Sequence, residues 1–506
     1  MFVTITTMIQ FIFKIIMDHN MSIAMWKNHP NSLKRLFFTE MWERFSFYGL
    51  NAVLVLFLTK SAHIPENLAL IIFGSYVTYV YLATTIAGFL ADRIYGYAKV
   101  AFMGGIFILL GHLSLALSMF DFKIFYLGLG FIATGTGLLK PNVSIMVGKL
   151  YSDDEEDKRV QGFNIYYMGI NIGAVIAPTA VGFVAEKISW HAGFGLAAIG
   201  MTLGLIIFKR GMNNFPSNCK IENTELRNKT IAGIKLDYIV YIGLIILSII
   251  FASLLANPIQ STIVSGICLV ILGGYIISLW RKLSEEERSK VWIILVLSIF
   301  SVSYWTLSNQ TISSLPIFID RVVDLNYFGM TIPASSISSF YSLILIMLAP
   351  VIAWFWGFTK QIKHEPGYAG KFTIGLTMAT LAFFFIIFGI IEASHVGKMN
   401  LLWILACYTL LGFGELCISP NGLALVTKYA PQNLSGVMMG LWWMINAFAG
   451  LTAGLLAQLI GFENTENLAT NQQLSIYQNG FIKVAIVGIV ITGILFIIRK
   501  NIDNKS

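Results

Sequence analysis

The sequence predicts an all-helical protein that crosses a lipid bilayer many times, and three observations predict it. Hydrophobic residues make up 56% of the 506 residues and charged residues only 12%, where a soluble domain carries about 25% charge. Mean hydropathy is +0.74. The apolar residues also gather into long runs, Leu36–Thr59 the first and Phe481–Ile498 the last. About 20 residues of helix cross the hydrocarbon layer at roughly 1.5 Å per residue. Lipid admits only helices and closed barrels, and runs this long and apolar on most faces are helices.

In chain order, Met1–Ile16 is apolar but too short to span, and no small-residue cleavage site precedes Met17. It reads as an interfacial extension, or as sequence upstream of a start at Met17, Met21 or Met25. After the first span come runs at about Leu68–Ala91, Val100–Ser118, Ile124–Val147, Phe163–Ala185 and Ala192–Phe208. A polar stretch from Lys209 to Lys235 separates these from two charge-free runs, Leu236–Ala256 and Ile263–Trp280. Six more follow: Val291–Ile319, Ser338–Phe358, Phe372–Ile391, Leu401–Val426, Val437–Ile460 and Phe481–Ile498. The expected organisation has five parts: an N-terminal extension (1–25), a six-helix bundle (26–210) and a cytoplasmic linker (211–235). A two-helix insertion (236–282) and a second six-helix bundle (283–506) complete it. Two matched halves with a midplane site are a transporter layout, and the charge-free pair reads as a lateral insertion.

An even number of spans places both termini on one side. Twenty-five loop Lys and Arg lie on that side, against Lys60, Lys123, Lys187, Arg321 and Lys398 on the other. That asymmetry puts both termini in the cytoplasm. The net charge of +8 therefore reflects loop topology, and nucleic-acid binding is not expected. Cys219, Cys268, Cys407 and Cys417 form no CxxC pair, and among seven histidines only His112 falls in a span. No metal-ligand spacing and no Ser-Lys or His-Asp cluster suggests a metal site or an intramembrane enzyme.

The first span carries Glu40, Glu43 and Arg44, each costing about 2.5–3.5 kcal/mol or more at a helix centre in lipid. Their i, i+3, i+4 spacing sets them on one face, which continues through Tyr48 to Asn51. A polar stripe on a greasy helix reads as the wall of a buried site. Between spans two and three, Gly88-Phe-Leu-Ala-Asp92-Arg93-Ile-Tyr-Gly96 forms a charged turn. The fourth span closes on Gly135-Thr-Gly-Leu-Leu-Lys140-Pro141-Asn142-Val-Ser144, where Pro141 is expected to break the helical ladder and Lys140 either snorkels or faces a cavity. The fifth contains Tyr166-Tyr-Met-Gly169-Ile-Asn171-Ile-Gly173, where Asn171 needs a partner or lines the cavity. Span twelve of the fourteen holds Glu415 within Gly412-Phe-Gly-Glu415-Leu-Cys-Ile-Ser-Pro420-Asn-Gly422, a carboxylate that needs a partner or a proton at that depth.

Taken together, these motifs resemble the proton-coupled oligopeptide transporter (POT/PTR) family of the major facilitator superfamily, in order from Trp26 to the last helix. The resemblance implies a major-facilitator-type fold with two inserted helices, and import of di- and tripeptides with protons. It implies that Arg44 and Lys140 receive the peptide carboxylate and Glu415 its amino group. Tyr48, Tyr81, Asn171, Trp305 and Trp442 would line the cavity, and Glu40, Glu43 and Glu415 would couple protons. Asp92, Arg93, Lys140 and Glu415 would gate, with a Lys140–Glu415 pair closing the inner side. The implied carrier needs no cofactor beyond the proton, acts as a monomer, and sits in a bacterial cytoplasmic membrane.

The chain also departs from the family pattern. Phe47 stands where a tyrosine is usual, and Phe340-Tyr341 replaces an Asn-Pro. Asn51 and Asn309 occupy positions that usually hold Arg and Glu; losing both charges together leaves neither uncompensated. These departures leave two alternatives: another small zwitterion or organic anion as cargo, or a facilitator without proton coupling.

Overall fold

The computed structural model describes residues 26–503, apart from residues 27, 153, 221–222, 232, 328, 432–434, 463–464 and 466–467. Met1–Ile16 and the alternative start sites lie outside the described residues.

Fourteen long helices are present among the described residues. The first half comprises α1 (Asn31–Lys60), α2 (Glu66–Leu90), α3 (Tyr97–Leu117), α4 (Lys123–Gly148), α5 (Glu156–Lys187) and α6 (Trp190–Gly211). The inserted pair is α7 (Leu236–Leu255) and α8 (Pro258–Arg281). The second half comprises α9 (Glu285–Ser308), α10 (Ser338–Gln361), α11 (Tyr368–Val396), α12 (Leu401–Tyr429), α13 (Ser435–Gln458) and α14 (Thr470–Asp503). Thirteen of them are long and apolar enough to cross a membrane. The remaining one is α1, whose hydropathy is lowered by Glu40, Glu43, Arg44 and Asn51.

Within the first half α1 packs on α5 and α6, and α3 on α4; within the second, α11 packs on α12 and α14. The halves meet chiefly where α2 crosses α13 and α5 crosses α10. Of the α8 span only 12% is buried, against 67% for α2, so the inserted pair clings to the rim. It is tied on by a Tyr79–Phe251 stack at 4.7 Å and by hydrogen bonds from Ser248 to Thr134 (2.9 Å) and between Tyr79 and Ser261 (2.6 Å). The only strands among the described residues are two two-residue antiparallel hairpins in loops, at 230–235 and 326–331.

The fourth helix runs through Pro141 to Gly148, matching the run Ile124–Val147; a proline inside a membrane helix is tolerated where neighbouring groups re-satisfy the backbone. One local expectation needs correction. The run Val291–Ile319 is not one helix. It breaks after Ser308 into a 3-10 turn (Asn309–Thr311) and a short helix, Ser314–Val322. Polar side chains there compete for backbone groups: Gln310 donates to the Thr306 carbonyl at 3.0 Å and to Ala453 of α13 at 3.1 Å, while Ser314 donates to Gln310 at 2.6 Å.

Candidate functional site

The site grows from α1. Arg44 is 1% exposed, and Glu40 and Glu43 are fully buried. Its Nε and Nη2 both donate to the Glu43 carboxylate, the latter at 2.7 Å. Glu40, one turn earlier, lies 3.3 Å from the same Nε, as the i, i+4 spacing predicts. The guanidinium is roofed by Phe47, whose ring centroid is 4.6 Å away, with Tyr48 at 5.9 Å. An aromatic face attracts a cation without competing for its N–H groups, so the missing tyrosine hydroxyl leaves Arg44 covered all the same.

The α5 motif explains how this cluster is buried. A Cβ at Gly173 would stand 2.5 Å from the Met41 carbonyl oxygen and 3.0 Å from the Arg44 Cβ, so only glycine lets α5 close on α1 there. Asn171 is half-buried and donates to the Tyr167 carbonyl of its own helix at 3.0 Å. Lys140 of α4 is half-buried, with Nζ 5.5 Å above the Tyr81 ring of α2. Lys140 and Tyr166 both lie within electrostatic reach of Glu40.

In the second half, Glu415 of α12 is held by the Tyr341 hydroxyl of α10 at 2.5 Å. Tyr341 in turn meets Ser308 of α9 at 3.1 Å. Tyr48 lies within electrostatic reach of Arg44, Tyr81 and Glu415. The structure thus brings Glu40, Glu43, Arg44, Tyr48, Tyr81, Lys140 and Glu415 into one neighbourhood between the halves. Trp305 is half-buried beside Tyr304 at 5.6 Å. Trp442, at 3% exposure, packs over Gly422 and edge-on to Phe372 at 6.4 Å.

Among the described residues no ion pair joins Lys140 to Glu415, whose hydrogen bond is from Tyr341. Asp92 and Arg93 are exposed in the turn Ala91–Tyr95, where Asp92 accepts from Tyr97 at 2.7 Å within the same half.

Among the described residues, several polar contacts join the halves toward the end of the bundle opposite the termini, here the distal end. Lys60 pairs with Asp320 at 2.8 Å. Arg321 pairs with Glu66 of α2 and reaches Thr465 (3.2 Å) and Tyr477 (3.3 Å). Glu186 of α5 accepts from the Ser335 backbone N–H at 3.0 Å, and Thr179 meets Ser339 at 2.8 Å. Thr78 donates to the Ala447 carbonyl at 3.1 Å. A cavity of about 260 Å³ lies on this seam, lined by Lys60, Asp320, Arg321 and Gln473 among others. Sequence reasoning counted Lys60 and Arg321 only as loop charges; nothing local marks partners that lie 260 residues apart in the Lys60–Asp320 pair. No His, Cys, Asp and Glu group among the described residues is arranged to hold a metal.

Residues 98–474 match the sequence profile of the POT family. The chain is 36% identical to a transporter of uncharacterised function, YclF, from Bacillus subtilis (strain 168), with 83% of this chain and 86% of that one aligned. It is 32% identical to the peptide transporter YePEPT of Yersinia enterocolitica, over 94% of this chain and 96% of that one. A solved peptide transporter POT in complex with sulfate superposes with a TM-score of 0.78 at 31% identity, over 95% and 96% of the two chains. A POT family transporter in complex with a thioalcohol-conjugated peptide does so equally well, at 30% identity over 94% and 98%. The likeness covers both halves of the chain, and by it this chain belongs to the POT family, with that family's major-facilitator-type fold.

Proposed function

We propose that this POT-family chain is a secondary active importer of di- and tripeptides, driven by protons, in a bacterial cytoplasmic membrane with both termini in the cytoplasm. It moves its cargo without covalent chemistry, and a single chain holds the whole site. The names of the Yersinia and Lactococcus relatives, a peptide transporter and di-/tripeptide transporters, support the substrate class. The observation that carries the reading is the division of charge between the halves. Glu40, Glu43, Arg44 and Lys140 sum to zero on one side when all are ionised, while Glu415 stands on the other.

A proton taken by Glu43 or Glu40 leaves the first half with one cation in excess. Arg44, released from its bidentate partner, then receives the peptide carboxylate with Lys140, a fork-to-carboxylate geometry that suits Arg. Glu415 receives the ammonium group. A zwitterion bridging the halves offsets both charges at once, which favours closure around it. The Lys60–Asp320 and Glu66–Arg321 pairs hold the distal side shut, so the conformation described faces the cytoplasm. Breaking those pairs while the bundles rock exposes the same site to the outside.

One observation favours a second reading. Asn51 on α1 and Asn309 in the turn that follows α9 are both amides, so neither can carry a proton, and an uncoupled facilitator would look the same there. Dialanine uptake into proteoliposomes with and without an inward proton gradient separates the two. Accumulation above the external concentration only with the gradient supports symport; equal uptake in both conditions supports the facilitator. No dialanine uptake in either condition overturns the peptide assignment.

A further inference from the structure

The second half of the site holds a feature that the charge argument leaves unused. Tyr341 donates to Glu415 Oε2 at 2.5 Å and lies 3.1 Å from Ser308 Oγ. A phenol has one hydrogen to give. With that hydrogen spent on Glu415, the Ser308 hydroxyl is the donor in the second contact. The chain of donation therefore runs one way, from Ser308 of α9 through Tyr341 of α10 to Glu415 of α12. The ring of Tyr341 is fixed edge-on against Tyr408 at 5.8 Å. Tyr304 does not share the carboxylate, since its hydroxyl donates to the Leu411 carbonyl at 2.6 Å. Three helices thus converge to occupy one oxygen of Glu415 and leave the other.

We propose that Tyr341 is a positioning and specificity residue for the amino end of the substrate: it anchors Glu415 by one oxygen, so that the remaining oxygen receives a primary ammonium group through a single directed hydrogen bond. This rests on the reading of Glu415 as the ammonium site. The ligand class it selects is a compact zwitterion with an unblocked primary amine. A bulky or acylated amino terminus meets the Tyr341 ring and finds no second carboxylate oxygen to compensate. Holding the carboxylate still also lowers the ordering cost of binding.

The test is uptake of dialanine and of N-acetyl-dialanine by wild type, Tyr341→Phe and Ser308→Ala in proteoliposomes, with the protein quantified in each preparation. Phe keeps the ring packing and removes only the donor, so folding is preserved. A charge-assisted hydrogen bond contributes about 1.5–3 kcal/mol, roughly tenfold or more in affinity. Tyr341→Phe is therefore expected to raise KM for dialanine about tenfold with kcat little changed. The preference for dialanine over its acetylated form should shrink by the same factor. Ser308→Ala should move both quantities in the same direction by a smaller amount. An unchanged KM and preference in Tyr341→Phe, with wild-type uptake intact, overturns the role of Tyr341 alone. Loss of kcat with KM unchanged assigns Tyr341 to the conformational cycle and equally overturns it. Wild type that ignores dialanine overturns this inference together with the peptide assignment.

Discussion

Arg44 and Glu43 are neighbours in sequence, yet they meet as a bidentate ion pair buried between α1 and α5. Successive residues on a helix do not normally face one another; here Gly173 lets α5 close on α1 beside Arg44, and the pair is buried there. The arrangement makes Glu43 the natural release for Arg44. Glu43→Gln keeps the shape and discards the charge, mimicking the protonated state. Accumulation driven by a proton gradient should be lost, whereas exchange of labelled for unlabelled dialanine across the membrane should persist. Gradient-driven accumulation at the wild-type level in this variant would remove Glu43 from the coupling path.

Removing an end of the zwitterion site should be harsher. Arg44→Ala strands Glu40 and Glu43 without their common partner, and Glu415→Gln leaves the ammonium facing a neutral amide. Breaking a buried pair this way costs about 3–5 kcal/mol, which for binding is at least a hundredfold. Both variants are expected to reach the membrane, with no concentrative uptake by the protein recovered there. Normal transport by either would show that the peptide binds elsewhere.

The distal seam offers a test of the closed state. Lys60 and Asp320 are 43% and 25% exposed, so this pair contributes little by itself. Glu66 and Arg321 are 12% and 13% exposed and better placed. Arg321→Ala removes charged hydrogen bonds worth about 2 kcal/mol, roughly a thirtyfold shift away from distal closure. Uptake should fall, and exchanging the pair as Arg321→Glu with Glu66→Arg should recover part of it. If the exchanged double variant fares no better than Arg321→Ala, the pair is not part of the gate.

Asn51 is 2% exposed, and its Oδ1 accepts no hydrogen bond among the described residues. A lone carboxylate introduced by Asn309→Glu should cost about 2.5–3.5 kcal/mol of insertion energy and lower the protein recovered from membranes. Adding Asn51→Arg should restore it. Purely additive effects in this double-mutant cycle would show that the two positions do not meet.

What could be read from the sequence, and what could not, divides along physical lines. The spans were legible because lipid forces any long apolar run into helix, whatever surrounds it. The stripe Glu40–Arg44–Tyr48 was legible because helical spacing alone fixes which residues share a face. The break at Asn309–Ser313 was not, since it depends on Gln310 finding the Ala453 carbonyl of α13. Tyr341 stood out only as a departure from the family pattern. Its partnership with Glu415 depends on how α9, α10 and α12 converge, which no single helix encodes.

A close backbone approach of the halves supplies the last prediction. A Cβ at Gly74 of α2 would stand 2.5 Å from the Gly450 carbonyl oxygen of α13, and one at Gly450 would stand 2.8 Å from the Val77 Cβ. Backbone blocks the first position, so no rotamer change relieves it, and the helices must separate. Gly74→Val is therefore expected to fold, because helix formation in lipid does not depend on this contact, but to hold the distal seam open. Transport should fall at least tenfold. A cysteine at position 48, in a background without the four native cysteines, should react faster with an impermeant thiol reagent added outside whole cells. Gly243→Val on α7, where nothing lies within 4 Å of the added atom, is the matched control and should transport normally. Wild-type uptake by Gly74→Val, or labelling no faster than in the control, would mean that the α2–α13 crossing does not have to re-form at each turn of the cycle.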